Sequence, residues 1–339
     1  MFRNDLPPIF TGRCAGHCTD KKRGTTNRMT DVSTIAGNIY LIDNRLFSIP
    51  KWGSVYVIDE EKKALIECGP TTSIPFVLGG LRKIGVQPEA IDYLIVTHIH
   101  LDHSGGAGTL LGSLPNARVI VHPKGARHLI RPERLVTAAT ATRGDEVISM
   151  HGEVVPVPES RIQTVGDGET LELGDRQTLT FIDTPGHAPH HICIHESRHG
   201  GIFTGDALAL YNAACDILLP FHPPTQFDLE QCLHTFEKLE GYSPKQIYYS
   251  HFGVSSEVRD HFTRARQGLL EWDTIAKKAA ATGSAEKMKA QFIENGYARL
   301  EPMKGIPSLS AMYDYFLHRS IPMAAEGHLE YYRTLLKQK

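Results

Sequence analysis

No apolar run in this sequence approaches the roughly 20 residues that a membrane-crossing helix needs, so no membrane partner is expected. An excess of charge of one sign is missing too. The 36 basic residues stand against 38 acidic ones, a net charge of −2. That balance supplies no basic stripe for nucleic acid, which is therefore not an expected partner either. Cysteine is sparse. Cys14, Cys18, Cys68, Cys193, Cys215 and Cys232 lie scattered through 339 residues and do not frame a disulfide scaffold. The opening stretch, MFRNDLPPIF, lacks the apolar segment of a secretory signal. These absences together lead to the expectation of a reducing, cytoplasmic setting. Histidine is the residue in excess: there are 18, grouped mainly before residue 262.

The chain divides into three stretches. Residues 1–30 are polar and irregular, and the CAGHC run there (Cys14, His17, Cys18) has ligand types but no fourth partner for a zinc knuckle. Residues 31–254 alternate strand and helix signals. Strands are expected at NIYLID (38–43), SVYVID (54–59), KALIEC (63–68), IDYLIV (91–96) and VIVH (119–122). A helix is expected from Ser73, a candidate N-cap, to a stop at Gly85, with a mixed helical stretch from Lys124 to about Gly144. Five further β segments follow Arg161, then an amphipathic helix at 228–239 capped by Asp228, and a last strand at 245–250. Residues 255–339 carry no strand signal and read as three or four helices.

Chemistry concentrates where strands end. THIHLDHSGG (97–106) follows the apolar strand 91–96, which reads as buried on both faces. In extended backbone alternate side chains share a face. His98 and His100 then point the same way, Asp102 shares their parity, and His103 comes from the turn. Imidazoles and a carboxylate converging at one place suit divalent cations. Three other strands end on the same residue types: His187 after FIDTPG, Asp206 after IFTG, and His251 after IYYS. Sites on open sheets are built at such strand ends.

The set HxHxDH, TPGH, TGDA and a late strand ending in Ser-His resembles the metallo-β-lactamase superfamily over about residues 32–254. The resemblance implies an α+β fold, a four-layer αββα sandwich, here with a helical C-terminal extension. It implies that His98, His100 and His187 hold one metal, that Asp102, His103 and His251 hold a second, and that Asp206 bridges them. The cofactor expected is a pair of divalent ions, zinc first, with iron or manganese as alternatives. The activity implied is hydrolysis of an ester, thioester, lactone or phosphoester in a small-molecule substrate by a metal-bridging hydroxide. Asp102 is also a candidate catalytic proton shuttle. Two alternatives stand beside this reading: a mononuclear iron oxidoreductase similar to the persulfide dioxygenases of the superfamily, and a non-catalytic metal-binding module. Flavodiiron relatives carry glutamate at the second motif position, where this chain has His100.

Departures from the family pattern narrow the substrate. Glu67-Cys68-Gly69 stands where an acidic residue opens the family's third turn, and Glu67 is expected to orient a ligand histidine. His190 replaces a family glycine, and His191 matches a histidine that is not a ligand. Ala209 occupies the position where lactonases of this fold carry tyrosine, with Tyr211 two residues later. His122, His128, His151, His195, His199, His222, His234 and His261 match no motif and are expected to be packed or surface residues. The tail is expected to cover the metal cleft through Phe262, Leu269, Leu270 and Trp272. Self-association is left open.

Overall fold

The computed structural model describes residues 30–282 and 285–337, so the Cys14/His17/Cys18 stretch lies outside the described residues. Seven strands pair in chain order in a first sheet: β1 (Val32–Ala36), β2 (Ile39–Asp43), β3 (Ser54–Ile58), β4 (Lys63–Ile66), β5 (Ile91–Ile95), β6 (Arg118–Val121) and β7 (Ile162–Thr164). The first four are antiparallel. From β4 onward the pairing is parallel, and parallel neighbours need crossovers. Helix α1 (Ile74–Ile84) supplies the first, α2 (Leu101–Ser104) and α3 (Ala107–Leu111) the second, and α4 (Pro123–Ile130), α5 (Glu133–Arg143) and α6 (Asp145–Ser149) the third.

The second sheet begins with β8 (Thr170–Gly174), β9 (Gln177–Asp183), β10 (Ile192–Glu196) and β11 (Gly201–Gly205), all antiparallel. A small hairpin, β12 (Leu210–Asn212) and β13 (Ile217–Leu219), stands apart. Helix α7 (Leu229–Gly241) leads to β14 (Gln246–Tyr249), which joins β11 in parallel, and β15 (Gly253–Ser255) closes the edge. The sheet order is β15-β14-β11-β10-β9-β8.

Period-2 alternation explains the layers. Tyr56, Ile58, Ile95 and Ile120 of the first sheet meet Phe181, Ile192, Phe203 and Tyr248 of the second in one buried cluster. Their sequence neighbours face outward. Val55, Val57, Leu94, Val96 and Val119 pack under α1, α3 and α4. Ile182, Cys193, Ile202 and Ile247 pack under α7 and the start of the tail. Each strand is apolar on both faces because a helix covers one and the partner sheet the other. The result is an α+β sandwich of helix, sheet, sheet and helix, with a helical region after it.

The helical elements follow local chemistry. Gly85 ends α1 in a left-handed conformation, φ 78°. Ser73 precedes α1 but makes no side-chain cap hydrogen bond. At α7 the expected cap forms, with Asp228 accepting from the Gln231 backbone N–H at 3.0 Å. The helical stretch expected over 124–144 is broken at Arg131 (φ −133°, ψ 83°). The following Pro132 disfavours helical backbone at that residue.

The C-terminal helices are α8 (Val258–Thr282), α9 (Ala285–Leu300), α10 (Ser310–Tyr315) and α11 (Ile321–Lys337), with a π-helical turn at Phe316–Ser320 joining the last two. Trp272, Met288, Phe292, Met312 and Phe316 form a core with Leu46, Trp52, Leu219 and Phe221. Residues expected to cover the metal cleft pack elsewhere. Phe262 and Leu269 lie against the second sheet's outer face, Trp272 belongs to the tail's core, and Leu270 is exposed. An amphipathic face must be buried, but here most of it is buried on the sandwich flank and against its own helices.

Candidate metal centre

Five strands deliver the site from one edge of the sandwich. Glu67 follows β4, His98 to His103 follow β5, His187 follows β9, Asp206 follows β11 and His251 follows β14. The chain does not stay extended through HIHLDH. His100 is the N-cap of α2, so Asp102 and His103 project from its first turn. All seven residues expected as ligands nevertheless come together.

They form two groups. In the first, His98 Nε2 stands 2.9 Å from His100 Nδ1, which stands 3.1 Å from His187 Nε2. In the second, Asp102, His103 and His251 gather, with Asp102 Oδ2 at 3.9 Å from His103 Nε2 and 3.8 Å from His251 Nε2. Asp206 faces both groups. Its Oδ2 lies 3.6 Å from His187 Nε2 and 3.4 Å from His103 Nε2, and its Oδ1 lies 3.5 Å from His251 Nε2.

Hydrogen bonds outside the cluster set which nitrogen of each ring faces inward. Glu67 Oε1 accepts from Thr97 Oγ1 at 2.5 Å, His103 Nδ1 at 3.0 Å and Ser250 Oγ at 2.9 Å. Since the Thr97 hydroxyl donates to Glu67, its oxygen is left to accept from His98 Nδ1, 3.0 Å away. His187 Nδ1 donates to the Phe221 carbonyl at 3.0 Å. His98 and His187 therefore carry their protons outward and turn a lone pair toward the centre, and Glu67 fixes the outward N–H of His103, whose Nε2 faces the centre. Glu67, in left-handed backbone at φ 68°, orients ligand residues as expected. Strain at a non-glycine residue persists where the surroundings fix it.

His191 is not part of the cluster. Its Nε2 accepts from the Asp206 backbone N–H at 3.1 Å, and its Nδ1 lies 2.8 Å from Thr184 Oγ1. Gly205 is required beside it: the backbone has φ 51°, and a Cβ would sit 2.5 Å from His191 Nε2.

Electrostatics suit a cation. Burial, followed by the neighbouring imidazoles, keeps His98 and His100 far below the usual histidine range. Burial also lowers His187. Burial alone would raise the two carboxyls, but Arg143, His103 and His251 hold Asp102 well below the usual range, and His103 and His251 do the same for Asp206. Neutral imidazoles beside ionised carboxylates are the protonation states a metal needs. His103 runs the other way: Asp206, Glu67 and Asp102 outweigh burial and push it up.

The donor set fits an ion physically. Both Asp206 oxygens, His103 Nε2 and His251 Nε2 are buried with no hydrogen-bond partner among the described residues. Leaving such groups unpaired costs about 1–3 kcal/mol each, more when charged. Tetrahedral ligands at about 2.0–2.1 Å from one ion stand about 3.3 Å apart, and the His98–His100 and His100–His187 spacings of 2.9 and 3.1 Å come within a few tenths of an ångström of that.

A cleft of about 370 Å³ opens beside the first group, lined by His100, His187, His190, Leu135, Ala138 and Arg143 among others, with no acidic side chain among the described residues on its wall. Arg143 was not legible in the sequence. It ends α5, its side chain is 9% exposed, and its Nη1 lies 3.5 Å from Asp102 Oδ1. From the tail, Tyr315 reaches this region, its ring 4.2 Å from that of Trp52 and 5.6 Å from that of Phe47. Its phenol is pushed up to about 12, chiefly by burial, with Arg143 opposing. His222, expected as a packed residue, is one: it stacks on Phe227 with its ring 6.5 Å from that of His187. Tyr211 stacks instead on Tyr249 and does not line the cleft.

Fold and site together define an αββα sandwich with a histidine–aspartate cluster at one edge. The profile of the metallo-β-lactamase superfamily matches residues 52–251. More than half of the chain is matched, and the chain belongs to that superfamily. Among its relatives, the acyl-coenzyme A thioesterase MBLAC2 of Gallus gallus is 29% identical over 239 residues, covering 66% of this chain and 81% of the relative. The metallo-β-lactamase fold-containing protein ST1585 of Sulfurisphaera tokodaii is 26% identical, covering 61% and 75%. Of solved structures, the metallo-β-lactamase family protein TTHA1429 of Thermus thermophilus superposes with a TM-score of 0.60 at 21% identity, covering 84% of this chain and 89% of that one. That likeness bears on the fold alone.

Proposed function

We propose that the protein is a dinuclear metal-dependent hydrolase, with an acyl thioester as its substrate class. One observation carries the reading: the buried Asp206 carboxylate, with no hydrogen-bond partner among the described residues, faces two groups of ligand-type side chains at 3.4–3.6 Å. His98, His100 and His187 would hold one ion and Asp102, His103 and His251 the other, with Asp206 between. Divalent ions supply Lewis acidity and lower the pKa of water toward neutrality.

The protein's own residues do the rest. Glu67, Thr97 and the Phe221 carbonyl hold the imidazoles in the ligating tautomer. Asp102 serves as ligand. Arg143, His103 and His251 hold its carboxyl low against burial, so it meets a cation ionised, and it is also the carboxylate placed to pass a proton at the centre. Water adds its oxygen to the acyl carbon, the C–S bond breaks with its electron pair on sulfur, and the thiolate takes up a proton. The thioester class is supported by the 29% identical acyl-coenzyme A thioesterase and by the mainly apolar wall of the cleft, including Ile99, Leu101, Leu135 and Pro223.

Zinc-loaded protein should release free thiol from acetyl- and hexanoyl-coenzyme A without consuming oxygen. His251→Ala should abolish that release. Oxygen uptake with a persulfide substrate, dependent on ferrous iron and insensitive to His251→Ala, would overturn the reading.

A further inference from the structure

Two arginines stand among the described residues that line the cleft; Arg134 is exposed, the side chain of Arg143 is only 9% exposed, and the reading above gives Arg143 no task beyond its contact with Asp102. That contact is poor for a guanidinium. A bidentate arginine–carboxylate pair has N–O distances of about 2.7–2.9 Å, whereas Arg143 meets Asp102 through one nitrogen at 3.5 Å. Asp102 is its sole ion-pair partner among the described residues. A guanidinium has five N–H donors in a fixed fork, so most remain free, and the side chain lines the cleft. Its charge is felt at Asp102, Asp206 and His100 alike, which places it beside both ligand groups.

The stretch after Asp206 supplies no side-chain donor, and the other non-ligand donors among the described residues that line the cleft are His128, Arg134, Thr142, His190, Thr225 and Gln226. The residues after Asp206 are Ala207, Leu208, Ala209 and Leu210, all buried and apolar. Tyr211, the next polar side chain, packs on Tyr249 and His261 away from the cleft. No acidic side chain stands among the described residues that line the wall, so the Arg143 donors that Asp102 does not take face the space a substrate would occupy. The surroundings tie α5 and α6 to the tail: Tyr315, whose ring packs on Phe47 and Trp52, is near enough to feel the guanidinium's charge, and Arg319 of the π-helical turn pairs with Glu146 of α6 at 3.2 Å. A donor fixed before reaction needs no reorganisation when charge appears.

We propose that Arg143 is a catalytic residue, donating hydrogen bonds to the scissile carbonyl oxygen as it becomes an oxyanion. The inference rests on the thioesterase reading above. As the water oxygen bonds to the acyl carbon, the carbonyl π pair moves onto oxygen, where Arg143 meets it. The pair returns as the C–S bond breaks and the thiolate leaves, to be protonated by the proton lost from water. Arg143 stays protonated throughout, as its pKa requires.

The test compares zinc-loaded wild type, Arg143→Ala and Arg143→Gln with hexanoyl-coenzyme A as probe. Both variants should lose about 10²–10³-fold in kcat, the usual effect of removing one oxyanion donor. KM should change by only a few-fold, and zinc content and melting temperature should match wild type. Added guanidinium ion should restore part of the rate to Arg143→Ala and none to wild type. An unchanged kcat, or a loss of rate that tracks a loss of zinc with no rescue, would overturn the proposal, the second result assigning Arg143 to holding Asp102. An inactive wild type would overturn the thioesterase reading and this inference with it, whereas active wild type with active variants overturns this inference alone.

Discussion

Replacing Glu67 by glutamine removes one charge and keeps the shape, and the structure says what should follow. Oε1 accepts from Thr97 Oγ1, Ser250 Oγ and His103 Nδ1, while Oε2 faces the Thr97 backbone N–H at 3.3 Å. An amide oxygen can occupy only one of these positions. With its oxygen at the Oε1 position, the amide NH₂ opposes the Thr97 N–H, and one hydrogen bond becomes a donor–donor contact. The three remaining bonds lose their charge assistance, falling from about 1.5–3 to about 0.5–1.5 kcal/mol each. The three weakened bonds lose about 3–4 kcal/mol together and the donor–donor contact adds about 1–3, so the expected loss is about 4–7 kcal/mol of stability in the metal-free protein. Groups that orient metal ligands are typically worth 10–100-fold in metal affinity, which is about 1.4–2.7 kcal/mol at 1.4 kcal/mol per tenfold. Competition with a chromophoric chelator measures the affinity, and urea unfolding of the chelator-treated protein measures the stability. Glu67→Gln binding zinc within two-fold of wild type, with an unshifted unfolding midpoint, would refute the role given to Glu67.

Three further outcomes are expected. Asp206→Ala should lose at least half of the bound metal, because one side chain faces both ligand groups; full occupancy by elemental analysis would count against that placement. Phe203→Ala should cost about 3–5 kcal/mol, since Phe203 is buried between the sheets with its ring 5.1 Å from that of Tyr56 and 4.6 Å from that of Tyr248; urea unfolding reads this directly. The metal-free protein should also weaken as pH falls below about 6.5. His98, His100, His187, His190, His191, His222 and His328 are held below their unfolded pKa by burial. Over that window the unfolded chain takes up protons that the native one does not, each costing up to about 1.4 kcal/mol per pH unit. His103, raised, is protonated in both states over that window and offsets none of this loss; its contribution fades only as pH rises above about 6.5. Unfolding midpoints that stay flat between pH 7 and pH 5 would contradict this.

Much of the site was legible because strand ends carry it. Apolar runs ending in His98, His187, Asp206 and His251 mark both the element and the edge where it stops. The parity argument for His98 and His100 held only as far as His100, because α2 starts there and turns Asp102 and His103 by helical rather than extended geometry. The sandwich's layers follow from strands that are apolar on both faces, which the sequence displays. The short hairpin of β12 and β13 was not legible: three-residue strands are too short for periodicity to register. Arg143 was hidden for another reason. Helix α5 is rich in small residues and has no fully buried face, so nothing local sets its last arginine apart. Its importance comes from contact with Asp102 across the fold. The tail shows the same limit. Its apolar faces announce burial but carry no address, and Tyr315, not Phe262, is the residue whose phenol feels the charges of Arg143 and Asp102.

The central claim is that two ions share Asp206. Elemental analysis of protein purified without added metal tests it most directly. The account predicts close to two equivalents of divalent transition metal per chain, falling when Asp206 becomes alanine. A single equivalent that survives Asp206→Ala and His251→Ala alike would contradict it.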